Sequence, residues 1–201
     1  MSAAVFFTAL ISAMLINNII LIRFLGICSF LGVSKKIEAA AGMAAAVIFV
    51  MLLANAITYI IFYGLLLPLG LEYLRTLAFI LVIASIVQFV EMFLKKFSTP
   101  LYKSLGIYLP LITTNCAILG IAEGSIISNF FGDFGYWGGF AMSMTTALGT
   151  ALGYALIIFA FSAIRVRIDV MNVPEEFKGV PVSLFVAAIM SMAFLGLQGL
   201  V

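Results

Sequence analysis

The chain has 201 residues, of which 65% are hydrophobic and only 9% are charged, and its mean hydropathy is +1.30. A soluble domain of this length does not need so much apolar surface, so the composition excludes that class and predicts a bundle of membrane-spanning helices. The formal net charge is +2, and the basic residues occur in short loops rather than in one patch, which argues against nucleic-acid binding.

Six apolar segments are long enough to cross the hydrocarbon core, which takes about 20 helical residues. They predict an all-α, polytopic membrane protein with a single membrane domain over residues 1–201. In chain order, the predicted spans are 4–33, 40–62, 73–94, 102–122, 134–163 and 180–200. The fifth span contains Gly149 and Gly153, a spacing that favours close packing against another helix.

The loops divide the basic residues unevenly between the two sides of the membrane. Only Arg75 falls on one side, whereas the other receives Lys35, Lys36, Lys95, Lys96, Lys103, Arg165, Arg167 and Lys178. Because basic loops stay in the cytoplasm, we expect a multi-pass protein with both termini facing outward, toward the periplasm or the cell exterior. No Lys or Arg precedes Arg23, so we expect no cleaved signal peptide and a first span that stays in the mature protein.

The two cysteines of the chain stand in similar apolar phrases, one in the first predicted span and one in the fourth. Cys28 begins the phrase CSFLGV and Cys116 begins CAILGI, so Leu, Gly and a β-branched residue follow each at the same spacing. Spans one and four cross the membrane in opposite directions. The repetition therefore predicts two inverted three-helix repeats, residues 1–98 and 99–201 approximately.

Both cysteines are expected near the middle of the membrane. Cys28 precedes Lys35, and Cys116 precedes Glu123, by a stretch that covers about 10 Å of helix against a half-thickness of about 15 Å. Residues that favour a break in the helix flank the cysteines: Gly26, Gly32, Thr114, Asn115 and Gly120. We therefore predict that spans one and four are interrupted helices whose elbows meet near the membrane centre.

Two thiols at matched depth predict ligation of an iron–sulfur cluster, whose usual ligands are cysteine thiolates. A [2Fe–2S] or [4Fe–4S] cluster takes four ligands, and the chain has two cysteines and no histidine, so we expect a half-site completed by another protein chain. The bilayer core is an insulator about 30 Å thick. A metal centre in its middle would divide the distance that an electron has to cross roughly in half. The alternatives are two ordinary buried thiols or a disulfide.

Four residues near the cysteines are candidates to support such a cluster. Arg23 is predicted inside the first span, where a charge is costly, and could neutralise the cluster or a partner's carboxylate. It could instead form a structural ion pair or bind backbone carbonyls at the break. The backbone of Gly26 and the side chains of Thr114 and Asn115 are candidate hydrogen-bond donors beside the thiols. The chain alone offers no complete catalytic site.

Three stretches of the sequence resemble a known family. They are LIRFLGICSFLGVSKK at 21–36, LRTLAFILVIA and QFVEM at 74–84 and 88–92, and LPLITTNCA at 109–117. Over essentially the whole chain the sequence resembles the A subunits of Rnf electron-transport complexes and, more distantly, the D and E subunits of the sodium-pumping NADH:quinone reductase. Ser29 stands where many relatives have proline.

The resemblance implies a six-helix subunit in which Cys28 and Cys116 share a [2Fe–2S] cluster with two cysteines of a homologous E-type subunit of opposite topology. It implies a ferredoxin:NAD⁺ oxidoreductase complex that couples electron flow to Na⁺ or H⁺ transport. Further partners would be flavin-bearing D and G subunits and iron–sulfur B and C subunits. The alternatives are the E subunit of the quinone reductase, a small-molecule or ion transporter with inert thiols, and a structural scaffold.

Overall fold

The computed structural model describes residues 3–34, 37–97, 111–112, 114–128, 130–170, 174, 177 and 179–198. All regular structure in that part of the chain is helical, which confirms the all-α class. The helices are α1 (Ala3–Ile11), α2 (Ile27–Val33), α3 (Ile37–Ile61), α4 (Arg75–Phe97), α5 (Cys116–Ile127), α6 (Phe130–Val170, with a non-helical kink at Gly135) and α7 (Val180–Gln198). Shorter turns extend α1 and α3 or precede α4: Ser12–Ile16, Phe62–Leu66, Leu67–Leu69 and Glu72–Leu74.

Several of these helices have the length and composition of membrane spans. The segments Ile37–Leu69, Glu72–Met92 and Gly135–Ile168 are long and apolar enough to cross a bilayer, and they coincide with the second, third and fifth predicted spans. Three apolar helices are shorter: Ala4–Ile16, Cys116–Ile127 and Val180–Gly196. The fourth predicted span, 102–122, lies partly outside the described residues. Four of the basic residues used to predict the orientation also lie outside them: Lys35, Lys36, Lys103 and Lys178.

The outer surface of the bundle is apolar, as contact with lipid requires. Leu77, Leu81 and Phe89 on α4 each expose about two thirds of their surface, and Phe185 and Met192 do the same on α7. These side chains would be unfavourable in water but match the hydrocarbon of a membrane. Helices α4 and α7 therefore lie at the periphery of the chain.

The centre of the bundle is the contact between α3 and α6. Small buried residues, including Ala54 on α3 and Ala147 and Ala151 on α6, let the two helices approach closely. Asn55 adds a polar bond across this contact, because its Nδ2 donates to the hydroxyl of Ser143 at 2.8 Å. This hydrogen bond between helices is the role expected of an amide inside a membrane bundle.

The Gly149/Gly153 pair packs α6 directly against the first span. A Cβ atom at Gly149 would lie 2.7 Å from the carbonyl oxygen of Leu10, and one at Gly153 would lie 2.6 Å from that of Met14. Side chains of any size are excluded at both positions. The predicted close packing is therefore confirmed, and the partner of the glycine pair is the backbone of the first span.

The first span is interrupted halfway. After the π-helical turn Ser12–Ile16, residues 17–26 leave helical geometry, and the chain becomes helical again at α2. Asn18 stabilises the break, because its Nδ2 donates to the carbonyl of Met14 and its Oδ1 accepts from the amide of Ile20. The hydroxyl of Ser191 on α7 donates to the carbonyl of Leu21 at 2.6 Å. The middle of the break, Asn18–Leu21, is thus buried in protein and hydrogen-bonded, as irregular backbone within a membrane must be.

Helix α6 is longer than the sequence predicts. The fifth predicted span ends at residue 163, but α6 continues to Val170. Arg165, which the charge pattern assigns to a cytoplasmic loop, lies inside this helix and is only 6% exposed. The assignment of Arg165 to a loop is therefore wrong. Its guanidinium donates to uncharged acceptors at the end of α2, and these hydrogen bonds stabilise the charge inside the helical bundle.

Candidate functional site

The two cysteines occupy equivalent positions in the structure. Cys28 is the second residue of α2 and Cys116 is the first residue of α5, so each thiol lies in the first turn of a helix that follows a non-helical segment. Both cysteines are free, which excludes the disulfide alternative in this structure. Cys28 is exposed and Cys116 is half-buried.

The two elbows meet through a hydrogen bond to sulfur. The backbone amide of Gly26 donates to Sγ of Cys116 at 2.9 Å. Gly26 has a φ of +87°, a left-handed conformation that glycine adopts without strain. A Cβ atom there would lie 3.2 Å from Cβ of Ala117 and 3.3 Å from Oδ1 of Asn115. The glycine therefore allows both the turn and the close approach that places its amide on the sulfur.

Asn115 caps the helix that begins with Cys116. Its Oδ1 accepts from the amide of Ala117 at 3.0 Å, which satisfies one of the free donors at the start of α5. Its Nδ2 points the other way and donates to Oγ of Ser29 on α2 at 3.4 Å. Asn115 therefore links the two cysteine-bearing helices, and its support of the thiols stays a prediction.

A tyrosine on α6 completes the network beneath the thiols. The hydroxyls of Tyr154 and Ser29 are 2.8 Å apart, and Oγ of Ser29 also donates to the carbonyl of Gly26 at 2.8 Å. Since the serine proton serves that carbonyl, the tyrosine is the donor of the shared bond. Tyr154 is fully buried.

The sequence alone does not identify Tyr154 or Ser29 as part of the site. Ser29 stands out only as a departure from proline, and Tyr154 lies in a different span, far along the chain. The one feature of the sequence that could point to Tyr154 is its position directly after Gly153, because that glycine lets α6 pack against the first span. A polar side chain next to such a contact must find a partner across it.

The remaining candidates lie differently. Thr114 is exposed beside the thiol-bearing turn. Nη1 of Arg23 lies 3.8 Å from the Cβ position of Gly124, about 12 Å along α5 from Cys116. There it lines a cavity of about 260 Å³ together with Asn17 and Thr146. The structure thus brings Gly26 and Asn115 to Cys116, whereas the charge of Arg23 lies farther along α5.

The donor set fits half of an iron–sulfur site. Among the described residues, no group of three or more histidine, cysteine or acidic side chains could hold a metal ion. The chain offers two sulfurs on facing elbows, a backbone amide aimed at one of them, and a buried polar network below. Such a set suits a cluster whose other two ligands come from outside the chain.

The sequence as a whole is similar to a family of membrane subunits. Residues 6–201 match the family described as "Rnf-Nqr subunit, membrane protein". The chain is 50% identical to the A subunit of the Na(+)-translocating ferredoxin:NAD(+) oxidoreductase complex of Acetobacterium woodii, with 95% of each chain covered.

Two relatives from other bacteria carry a more general name, the A subunit of an ion-translocating oxidoreductase complex. The protein of Pseudoalteromonas atlantica is 49% identical, over 98% of this chain and 97% of its own. That of Vibrio cholerae is 48% identical, over 96% of this chain and 95% of its own. The similarity spans both cysteine-bearing helices and all three long membrane helices.

Proposed function

This chain belongs to the Rnf-Nqr family of membrane subunits, and we propose that it is the A subunit of an ion-translocating ferredoxin:NAD⁺ oxidoreductase in the bacterial inner membrane. Three similar relatives are named as A subunits of oxidoreductase complexes, which favours this assignment over the E subunit of the quinone reductase. The observation that carries the proposal is the contact between the two cysteine elbows, in which the amide of Gly26 meets Sγ of Cys116.

In this proposal, Cys28 and Cys116 hold half of a [2Fe–2S] cluster, and a homologous E-type subunit supplies the other two thiolates. When bound, such a cluster accepts and releases one electron at a time. The exposure of Cys28 supports a shared site, because an exposed thiol can bind a group that is also held by another protein chain. The thiols would lie at the boundary between the two subunits.

The chain itself lowers the cost of negative charge on sulfur in a membrane. An anionic centre in a low-dielectric medium is costly unless it is hydrogen-bonded. The amide of Gly26 supplies one hydrogen bond to Cys116, and the start of α5 directs the positive end of that helix toward the same sulfur. Hydrogen bonds to cluster sulfurs are among the features that set a reduction potential.

The proposal includes six crossings arranged as two inverted repeats. Helix α2 ends near the beginning of α3, because Ser34 is followed by Ile37 after only two residues. Helix α5 ends beside the beginning of α4, where Thr76 donates to the carboxylate of Glu123. Since α3 spans the bilayer between these points, α2 and α5 point to opposite sides. Antiparallel half-helices of this kind are what an inverted repeat requires.

The orientation and the wider assembly are also part of the proposal. Both termini would face outward, with the basic loops in the cytoplasm. Flavin-bearing D and G subunits and iron–sulfur B and C subunits would complete the complex, which would couple electron flow to transport of Na⁺ or H⁺. The name of the relative from Acetobacterium woodii, which specifies Na⁺, supports an ion-translocating role.

Electron paramagnetic resonance of the subunit pair tests the ligand assignment. We expect Cys28→Ser or Cys116→Ser to remove the iron-dependent signal when the chain is co-expressed with its E-type partner. Ser128→Ala, an exposed change at the end of α5, should leave the signal intact. A double Cys→Ala variant that supports wild-type electron transfer would instead favour a transporter or a scaffold with inert thiols.

A further inference from the structure

Arg165 is a charged residue whose side chain is buried inside the helical bundle. It lies on α6 near the end that meets α2, and it is only 6% exposed. Its Nη1 donates to the carbonyl oxygen of Leu31 at 2.9 Å and to Oγ of Ser34 at 2.7 Å. Both acceptors belong to the last turn and the C-cap of the helix that carries Cys28.

Helix α2 needs such support because it is very short. It has seven residues, Ile27–Val33, and an isolated helix of that length is not stable. The carbonyl of Leu31 is one of the last four in the helix, which have no intrahelical partner. Arg165 adds a charged donor to this carbonyl, which also accepts from the hydroxyl of Ser34 at 3.4 Å, and the buried cation opposes the negative end of the helix dipole.

The other contacts between α6 and α2 agree with this role. The rings of Phe30 and Phe161 pack with centroids 4.1 Å apart, and the hydroxyl of Ser162 donates to the carbonyl of Ser34 at 3.2 Å. The bond from Tyr154 to Ser29 holds the first turn of α2. Helix α6 therefore holds α2 at both ends, and Arg165 supplies the charged contact.

We propose that Arg165 is a positioning residue for Cys28, which clamps the end of α2 and thereby fixes the place of the thiol. It acts through α2, since its hydrogen bonds go to Leu31 and Ser34 and not to sulfur. The consequence for a cluster rests on the proposed function, whereas the clamp on α2 can be measured without iron. Both bonds start from Nη1, and an arginine suits the role because its guanidinium is always charged and holds its donors in a fixed plane, whereas the lysine ammonium sits on a flexible stem.

The chain offers a matched control two residues away. Arg167 is on the same end of α6 and carries the same charge, but it is exposed. Arg167→Gln changes the charge of this side of the membrane by as much as Arg165→Gln does. Any effect on topology or on net charge should therefore be common to both variants, and an effect on α2 should be confined to Arg165.

Hydrogen–deuterium exchange of the full chain in detergent measures the clamp. A charge-assisted hydrogen bond contributes enough that Arg165→Gln should speed exchange of the amides in Ile27–Val33 by about tenfold. Arg165→Lys and Ser34→Ala should give smaller changes in the same direction, and they keep the test usable if the glutamine variant does not fold. Unchanged exchange in all three variants, or an equal change in Arg167→Gln, overturns the proposal.

The signal of the co-expressed pair measures the consequence for the thiol. Arg165→Gln should lower the iron signal per protein at least about twofold, with partial recovery in Arg165→Lys and none of this loss in Arg167→Gln. A normal signal in Arg165→Gln overturns the positioning role. If the unmodified pair holds no iron, the proposed function fails, and the exchange experiment still decides whether Arg165 clamps α2.

Discussion

The amide of Gly26 and the sulfur of Cys116 lie 2.9 Å apart, although 90 positions separate them in the chain. Two separate features make this contact possible: the left-handed turn at Gly26, and the cap by which Asn115 starts α5 at the cysteine. Each elbow therefore helps to position the thiol-bearing turn of the other, and a change in one should be felt at both.

Gly26→Ala should disturb this contact directly. The added Cβ meets Ala117 at 3.2 Å, and a left-handed alanine costs about 1–2 kcal/mol. We expect a lower melting temperature and a weaker iron signal per protein in the subunit pair. Gly70→Ala is the control, because Gly70 has a φ of +67° but nothing within 4 Å. An equal loss of iron in both variants would show that general backbone strain, and not this contact, is responsible.

Tyr154→Phe and Ser29→Ala remove the same hydrogen bond from opposite sides. Each change should lower the free energy of unfolding by about 1 kcal/mol, because a buried polar group loses its partner. The double variant should cost less than the sum of the two, and a denaturant series on all four proteins gives the coupling energy. Tyr73→Phe, at an 82% exposed tyrosine, serves as the control and should have almost no effect. Simple additivity would contradict the shared bond.

Arg23→Gln should leave the iron signal of the pair nearly unchanged. The guanidinium lies against Gly124, about 12 Å along α5 from Cys116, which is too far for direct contact with that thiol. Comparison of the signal amplitude per protein with that of Cys28→Ser measures the difference. A loss as large as that of the cysteine variant would mean that Arg23 supports the cluster after all.

Gly153→Ala should destabilise the chain because it forces α6 away from the first span. The new methyl group would lie 2.6 Å from the carbonyl oxygen of Met14, and crowding of this kind costs about 1–3 kcal/mol. Thermal unfolding in detergent measures the loss. Gly196→Ala on α7, where nothing lies within 4 Å, should be neutral or slightly stabilising. Equal melting temperatures for the two variants would contradict the packing of α6 on the first span.

The sequence was sufficient for the class of protein and for the pairing of the elbows. Continuous apolar segments predict helices because a bilayer leaves the backbone few alternatives. The repeated phrase after Cys28 and Cys116 indicates equivalent turns, and the structure brings those turns into contact. These features depend on composition and local pattern, which are directly readable from a single chain.

Other features required the three-dimensional arrangement. The depth of Arg23 in the membrane can be calculated from the helical rise of about 1.5 Å per residue only if the helix is continuous. Residues 17–26 are not helical, so this calculation does not apply to Arg23. Arg165 is indistinguishable from a loop charge until its acceptors on α2 are known. Tyr154 belongs to the site only because Gly153 lets α6 approach the first span. Each case depends on a tertiary contact that leaves no local pattern.

Iron and acid-labile sulfide analysis tests the shared half-site most directly. The chain should be purified alone and together with its homologous E-type partner. We expect about two irons and two sulfides per pair, as a [2Fe–2S] cluster requires, and almost none in the chain alone, because two thiols cannot fill four ligand positions. Stoichiometric iron in the isolated chain, or an intact pair without iron, would contradict the account.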